Sequence, residues 1–191
     1  NDFLYGGSGD DILNGGADAD TIDGGEGTDP ASYENAEAAV IVNLNISVQA
    51  TGSGEATGDQ LTSIENVTGS EFDDILTGDA GNNYILGGYG NDILQGGGGS
   101  DTLEGEEGVD TASYANDPGG VSADLAAGTA VDGFGSEDWL IGIENLIGSA
   151  YTDTLRGDIN ANYLYGLAGN DQLYGDAGDD LGELAHGVVD D

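Results

Sequence analysis

A nine-residue phrase, Gly-Gly-x-Gly-x-Asp-x-(apolar)-x, frames this chain. It runs through Gly87-Gly88-Tyr89-Gly90-Asn91-Asp92-Ile93-Leu94-Gln95 straight into Gly96-Gly97-Gly98-Gly99-Ser100-Asp101-Thr102-Leu103-Glu104, and it recurs along most of the sequence. Each unit has one apolar side chain to bury and nothing within itself to bury it against, so several units must stack. The first six residues are glycine-rich and predict a turn, because glycine reaches backbone conformations closed to other residues. The last three predict a short strand. Two units then form a coil of about 18 residues, with parallel strands in two sheets and turns along both edges.

Three blocks of repeats follow from this phase. The first, residues 1–32, ends a partial unit at Asp2 and places Asp11, Asp20 and Asp29 at the sixth position. The second, 69–113, places Asp74, Asn83, Asp92, Asp101 and Asp110 there, and the third, 148–183, places Asp153, Asn162, Asp171 and Asp180. The apolar eighth position is Leu13, Ile22, Leu76, Ile85, Leu94, Leu103, Leu155, Leu164 and Leu173, the predicted core. Ala31, Ala112 and Gly182 take that position at the block ends and read as transitions.

Between the blocks lie two copies of one spacer, 33–68 and 114–147. Asp29-Pro30-Ala31-Ser32-Tyr33 matches Asp110-Thr111-Ala112-Ser113-Tyr114, and the Ile64-Glu65-Asn66-Val67 stretch matches Ile143-Glu144-Asn145-Leu146. Alternation in Val40, Val42 and Leu44, and in Val121, Ala123 and Leu125, predicts a half-buried strand in each. The copies differ in length, so both cannot keep the nine-residue phase. Segments 49–57 and 128–135 are expected to loop out of the stack. Tyr33 and Tyr114 are expected to cap it and Trp139 to pack within it. The tail 184–191, with the single histidine His186, leaves the repeat and is expected to be irregular and exposed. Because the chain opens on the back half of a repeat, it reads as a piece of a longer protein.

Charge decides what such a chain needs. It has 38 acidic residues against one basic residue, Arg156, for a formal charge of −37, and 37 glycines. Self-repulsion on this scale opposes the compact state, and a metal-free chain of this kind is expected to be disordered. The same charge disfavours nucleic acid and anionic membrane as partners. No cysteine is present, which excludes disulfides, thiolate nucleophiles and Cys-ligated metals. Aspartates 18 residues apart stack at one strand spacing, about 4.8 Å, and tolerate each other when a divalent cation lies between them. Carboxylates and glycine-turn carbonyls are hard oxygen donors suited to Ca²⁺, whereas Mg²⁺ demands a stricter octahedron. The absence of a histidine cluster argues against transition metals. No Gly-x-Ser-x-Gly or His-Glu-x-x-His is present, and the carboxylates sit on a repetitive convex edge, so the reading is non-enzymatic.

These residues resemble the RTX family of secreted bacterial proteins, whose Gly-Gly-x-Gly-x-Asp nonapeptides build a right-handed parallel β-roll with calcium-filled turns. The resemblance implies an all-β solenoid of that kind with two spacers looped out of it. It further implies that a turn gives second- and fourth-position carbonyls plus its Asp to one ion, and first- and third-position carbonyls plus the same Asp to the other. Carried over, Gly7, Gly9 and Asp11 meet Gly24, Glu26 and Asp29. Ser70, Phe72 and Asp74 meet Gly87, Tyr89 and Asp92, while Gly88, Gly90 and Asp92 meet Gly105, Glu107 and Asp110. Asp79, Gly81 and Asn83 meet Gly96, Gly98 and Asp101, and Ser149, Tyr151 and Asp153 meet Gly166, Ala168 and Asp171. The ends add Asp2 with Gly15, Ala17 and Asp20, and Asn162 with Gly175, Ala177 and Asp180. Asn83, Asn162, Phe72, Tyr151, Asp18 and Asn160 depart from the pattern and are expected to weaken their sites. About six to eight calcium ions are expected from this resemblance and the chemistry of the turns.

The function this implies is a calcium-binding module of a secreted, extracellular protein. It would fold outside the cell, support type I secretion and stabilise an attached domain. The alternatives are an adhesin or matrix module that binds a glycan or cell-surface partner through the spacer loops, and an accessory domain of a secreted hydrolase or epimerase.

Overall fold

The computed structural model describes residues 1–184 and 187–190. Extended segments follow the glycine turns as the period requires. The first block contains β1 (Phe3–Ser8), β2 (Thr21–Glu26) and β3 (Pro30–Ser32). The first spacer contributes β4 (Ile41–Asn43), a single 3₁₀ turn at Gly54–Ala56, β5 (Gln60–Thr62) and β6 (Asn66–Thr68). The second block gives β7 (Ile75–Thr77), β8 (Tyr84–Tyr89), β9 (Ile93–Gln95), β10 (Thr102–Glu107) and β11 (Thr111–Ser113). The second spacer gives β12 (Ser122–Asp124), β13 (Thr129–Val131), β14 (Glu137–Ile141) and β15 (Asn145–Ile147). The last block holds β16 (Thr154–Arg156), β17 (Tyr163–Leu167), β18 (Asp171–Tyr174), β19 (Leu181–Leu184) and β20 (Gly187–Asp190).

Successive repeat strands alternate between two faces. One face is a ten-stranded sheet in the order β3-β6-β8-β10-β14-β13-β12-β16-β18-β20. The other comprises the sheet β1-β2-β5 and the sheet β4-β7-β9-β11-β15-β17-β19. Pairing between coils is parallel and in register at the eighth position. Leu76 lies beside Leu94, Ile85 beside Leu103, Leu146 beside Leu164, and Leu155 beside Leu173. All of these are buried, so one apolar column runs the length of the solenoid.

The spacers leave the nine-residue path, but they do not project. After β3 the chain jumps ahead and pairs β4 with β7, then doubles back so that Val48 bridges Gln60 antiparallel, and β5 resumes beside β2. The gap in the ladder is filled by the side-chain amide of buried Gln49. Its Oε1 accepts the Asn43 N–H at 2.8 Å and its Nε2 donates to the Asn43 carbonyl at 3.1 Å, as a backbone peptide would. In the second spacer the same excursion is a full meander inserted between β14 and β16, with β13 antiparallel to both β14 and β12 and β12 parallel to β16. Residues 129–131, expected in a loop, are therefore a sheet strand. Ser53 and Ala56, expected in the other loop, are buried.

The two insertions fall on opposite faces. Five nonapeptides separate them, and an odd number of half-coils carries the second to the other side.

Three further expectations are corrected. Tyr33 and Tyr114 do not cap the ends: both are buried at the insertion points, two residues beyond Ala31 and Ala112, whose small side chains leave the space. Trp139 is 47 % exposed on β14 and faces outward. In the tail, β20 pairs in parallel with β18, so the chain keeps its strand register there, although His186 lies outside the described residues. Arg156 holds Asp176 with two hydrogen bonds, 2.6 and 3.0 Å, at the exposed surface.

Candidate metal centre

The sixth-position side chains form two columns, one along each edge. In both, one carboxylate oxygen is spoken for by the backbone of the coil below. Asp11 N–H donates to Asp29 Oδ1 at 2.8 Å, Asp74 N–H to Asp92 and Asp92 N–H to Asp110 at the same distance, and Asp153 N–H to Asp171 at 3.1 Å. Asn83 and Asn162 donate likewise to Asp101 and Asp180, and Asp2 to Asp20. The second oxygen is not accounted for. Oδ2 of Asp20, Asp29, Asp92, Asp101, Asp110 and Asp171 is buried without a hydrogen-bond partner. A buried anionic oxygen left in this state costs several kcal/mol unless a cation meets it.

The glycines show where that oxygen points. A β-carbon added to Gly87 would lie 2.3 Å from Asp92 Oδ2 and 2.9 Å from the Gly105 carbonyl oxygen of the coil above. At Gly105 the corresponding atoms are Asp110 Oδ2 and the Gly142 carbonyl, at 2.4 and 2.2 Å. First-position glycine is thus required where an upper-turn carbonyl and the turn's own aspartate converge. From below, the second- and fourth-position carbonyls face the glycines above: Gly7 and Gly9 face Gly25 and Gly27, and Ser70 and Phe72 face Gly88 and Gly90. Asp79 and Gly81 face Gly97 and Gly99, and Tyr151 faces Gly169. Of the third-position carbonyls, those of Glu26 and Glu107 instead accept backbone N–H groups from Gly9 and Gly90.

Four acids that the repeat phase misses complete the columns. Asp59 Oδ1 accepts Asp20 N–H and Asp138 Oδ1 accepts Asp101 N–H, while Glu65 and Glu144 reach the N–H groups of Asp29 and Asp110. All four stand two residues before a buried apolar residue: Leu61, Leu140, Val67 and Leu146. That acid-x-apolar spacing survives in the spacers without the glycine turn, and it was the available signal. An outer ladder also escapes the repeat logic. Fifth-position Asp10, Asp73, Asn82 and Asn91 accept N–H groups from the coil above, at 2.7 to 3.0 Å.

Apart from Asp18 in the first block, which adopts φ +79 where the pattern has glycine, departures from the pattern gather at the two turns after each spacer. There Ser70 and Ser149 donate their hydroxyls to Asp74 and Asp153 at 2.8 and 2.7 Å, and their N–H groups bind the same carboxylates. In the next turn Asn83 Nδ2 donates to the Glu65 carbonyl at 2.6 Å, and Asn162 Nδ2 to the Glu144 carbonyl at 2.8 Å. The amide hydrogen occupies the direction in which a carboxylate would share a cation. These junctions are closed by protein donors.

Burial raises the pKa of five of the column aspartates. It pushes Asp92 up to about 7, with the neighbouring Asp74 and Asp110 charges adding to the effect, and Asp101 to about 6. Asp74, Asp110 and Asp153 shift in the same direction for the same reason. In the metal-free fold these values lie above those of the unfolded chain. The stability that protonation contributes is therefore complete below about pH 4 and is lost as pH climbs through 6 to 7. Decalcified protein is expected to give its strongest β-sheet circular dichroism near pH 4 and to lose it by pH 8. A metal-free signal that grows over that range would contradict this electrostatic account.

Does calcium fit? The donors are all oxygen, the orphaned carboxylate oxygens are buried, and the carbonyls around them are held by the backbone. Among the described residues no three acidic, histidine or cysteine side chains come together closely enough to hold a metal ion by themselves. An ion here must draw on main-chain carbonyls, as Ca²⁺ does readily and softer metals do not. The donor set fits calcium except at the Asn83 and Asn162 junctions with the coil below. No helix among the described residues is long and apolar enough to cross a membrane.

The family model of the RTX calcium-binding nonapeptide repeat matches in four copies, over residues 1–29, 62–92, 77–112 and 147–181. No curated protein matches the chain. The matches leave out most of both spacers, the segments that form the inserted strands. Spanning more than half of the sequence, they assign the chain to the RTX calcium-binding nonapeptide-repeat family.

Proposed function

We propose that this chain is a calcium-triggered folding module of a secreted bacterial protein. It is synthesised without structure, exported unfolded by a type I route, and closed into one solenoid by extracellular calcium, where it stabilises an attached domain. The six segments delimited above behave as one unit, because the carboxylate columns run through the spacers. The observation that carries this reading is the set of buried, partnerless Oδ2 atoms at Asp20, Asp29, Asp92, Asp101, Asp110 and Asp171. Without a cation the fold holds these charges at a cost; with one, each becomes a ligand.

The proposed ligand set is the sixth-position aspartates with the facing first-, second- and fourth-position carbonyls. The module is read as non-catalytic, its carboxylates being engaged in the ladder. The segments 49–57 and 128–135, considered above as partner-binding loops, are largely taken into the stack, and the structural reading is favoured over adhesion.

Calorimetric titration with calcium chloride tests this. Wild-type protein is expected to bind several ions cooperatively, with heat released as the chain folds. Asp92→Asn, which keeps the Oδ1 acceptor for Asp74 N–H but removes the charge shared by two gaps, is expected to bind fewer ions. It should also need roughly two- to fourfold more calcium to reach the folded state, because about 1.4 kcal/mol per lost site is recovered across the four or five sites that remain. Binding unchanged by this substitution would remove the column from the ligand set.

A further inference from the structure

The second spacer contains an acid that neither the repeat nor the irregular turns explain. Asp132 follows β13, is 2 % exposed, and has an Oδ2 atom with no partner. Its Oδ1 accepts the N–H groups of Phe134 and Ser136, at 3.0 and 2.6 Å. Asp138, on the neighbouring β14, is fully buried and its Oδ2 also lacks a hydrogen bond of ordinary geometry.

Register brings these two side chains to one face. Ala130 opposes Asp138 in the antiparallel β13–β14 pair, and Asp132 N–H bonds the Ser136 carbonyl. Asp132 and Asp138 are therefore diagonal neighbours on the inward side, about 7–8 Å apart and somewhat closer at their β-carbons. Calcium–oxygen distances of about 2.4 Å allow a single ion to bridge two carboxylates at that separation. The direction of the strand explains why repeat logic misses the site. In a parallel rung the acid precedes the core residue by two positions, as Asp138 precedes Leu140. In the reversed strand it follows, as Asp132 follows Ala130, and so it stands at the same edge of the sheet.

The first spacer is an internal control. There Asp59 Oδ1 takes Asp20 N–H and its Oδ2 takes the Tyr33 hydroxyl at 3.0 Å, while the insert presents the neutral, fully bonded amide of Gln49. That copy is satisfied by protein groups alone. In the second copy the Tyr114 hydroxyl lies against Asp138 as that of Tyr33 lies against Asp59, so the copies differ in the insert, where Asp132 stands in place of Gln49. Buried Asp117, whose Oδ2 accepts Gly133 N–H at 2.8 Å, adds a further negative charge close by.

We infer that the second spacer holds its own calcium ion, bridged by Asp132 and Asp138 inside the inserted meander, and that the first spacer holds none. The inference rests on the calcium reading above but concerns a site outside every nonapeptide. Native mass spectrometry in saturating calcium chloride, paired with thermal melting, tests it on the full chain. Asp132→Asn keeps the Oδ1 acceptor and removes the charge. The expected result is one calcium ion fewer than wild type and a lower melting temperature in calcium. An unchanged ion count with an equal or higher melting temperature would overturn the site, because neutralising an uncompensated buried carboxylate relieves a cost. Should Asp132→Asn not fold, Asp132→Ser, whose hydroxyl can still accept the turn N–H groups, is counted in its place with the same two readings. A wild-type chain that binds no calcium would instead overturn the functional reading as a whole.

Discussion

Stripped of calcium at neutral pH, the chain is expected to lose its β-sheet circular dichroism and expand toward the dimensions of a random coil, and to recover both when calcium returns. The size of the effect follows from simple arithmetic. Extracellular calcium modules bind at roughly 0.1–1 mM. With calcium at about ten times that constant, each site contributes about 1.4 kcal/mol. Six such sites contribute about 8 kcal/mol, within the range of the entire stability of a typical domain. At intracellular calcium levels, far below such a constant, the sum is close to zero. What remains is a chain with a formal charge of −37 and buried carboxylates that no protein donor satisfies. Far-ultraviolet dichroism and small-angle scattering, with and without chelator, measure the difference. An unchanged compact fold in chelator would show that the apolar column and sheet ladders suffice without metal.

The second large effect separates backbone strain from collision. Gly97 and Gly135 both have φ +93, a left-handed conformation. A β-carbon at Gly135 would meet nothing within 4 Å, whereas one at Gly97 would lie 2.1 Å from the Asp79 carbonyl oxygen. Gly135→Ala therefore carries only the conformational cost, about 1–2 kcal/mol. Gly97→Ala adds an overlap that only backbone movement relieves, for a total of about 3 kcal/mol or more. The movement also displaces a carbonyl that faces the inter-turn space above Asn83. Denaturant unfolding in saturating calcium is expected to rank the variants in that order, and Gly97→Ala is expected to need more calcium to fold. Equal losses in the two variants would mean that the stacked turns are loose enough to part.

Much of this could be read from local phase. Leu76, Leu94 and Leu103 fall at the eighth position, and each is buried where the period puts it. Asp92 and Asp110 fall at the sixth, and each lies one coil from its neighbour. Such features repeat within nine residues, so a single unit contains all the information needed to place them. The departures at Asn83, Asn162, Ser70 and Ser149 were visible as exceptions, but their meaning was not. That Asn83 donates to the carbonyl of Glu65, or that Ser70 closes its own turn on Asp74, depends on which atoms face each other across coils.

The spacers mark the boundary. A count of residues cannot be carried through a segment that reverses direction, because the acid then follows its core residue and no longer precedes it. Asp59, Glu65, Asp138 and Glu144 enter the columns through partners 34 to 39 residues away, and Gln49 replaces a stretch of backbone with a side chain. The repeat dictated solenoid, core column and hard-oxygen chemistry, since each follows from nearest neighbours along the chain. Where the inserted strands dock, and which buried oxygens are left wanting a cation, depended on pairing between segments far apart in sequence, which a one-dimensional period does not encode.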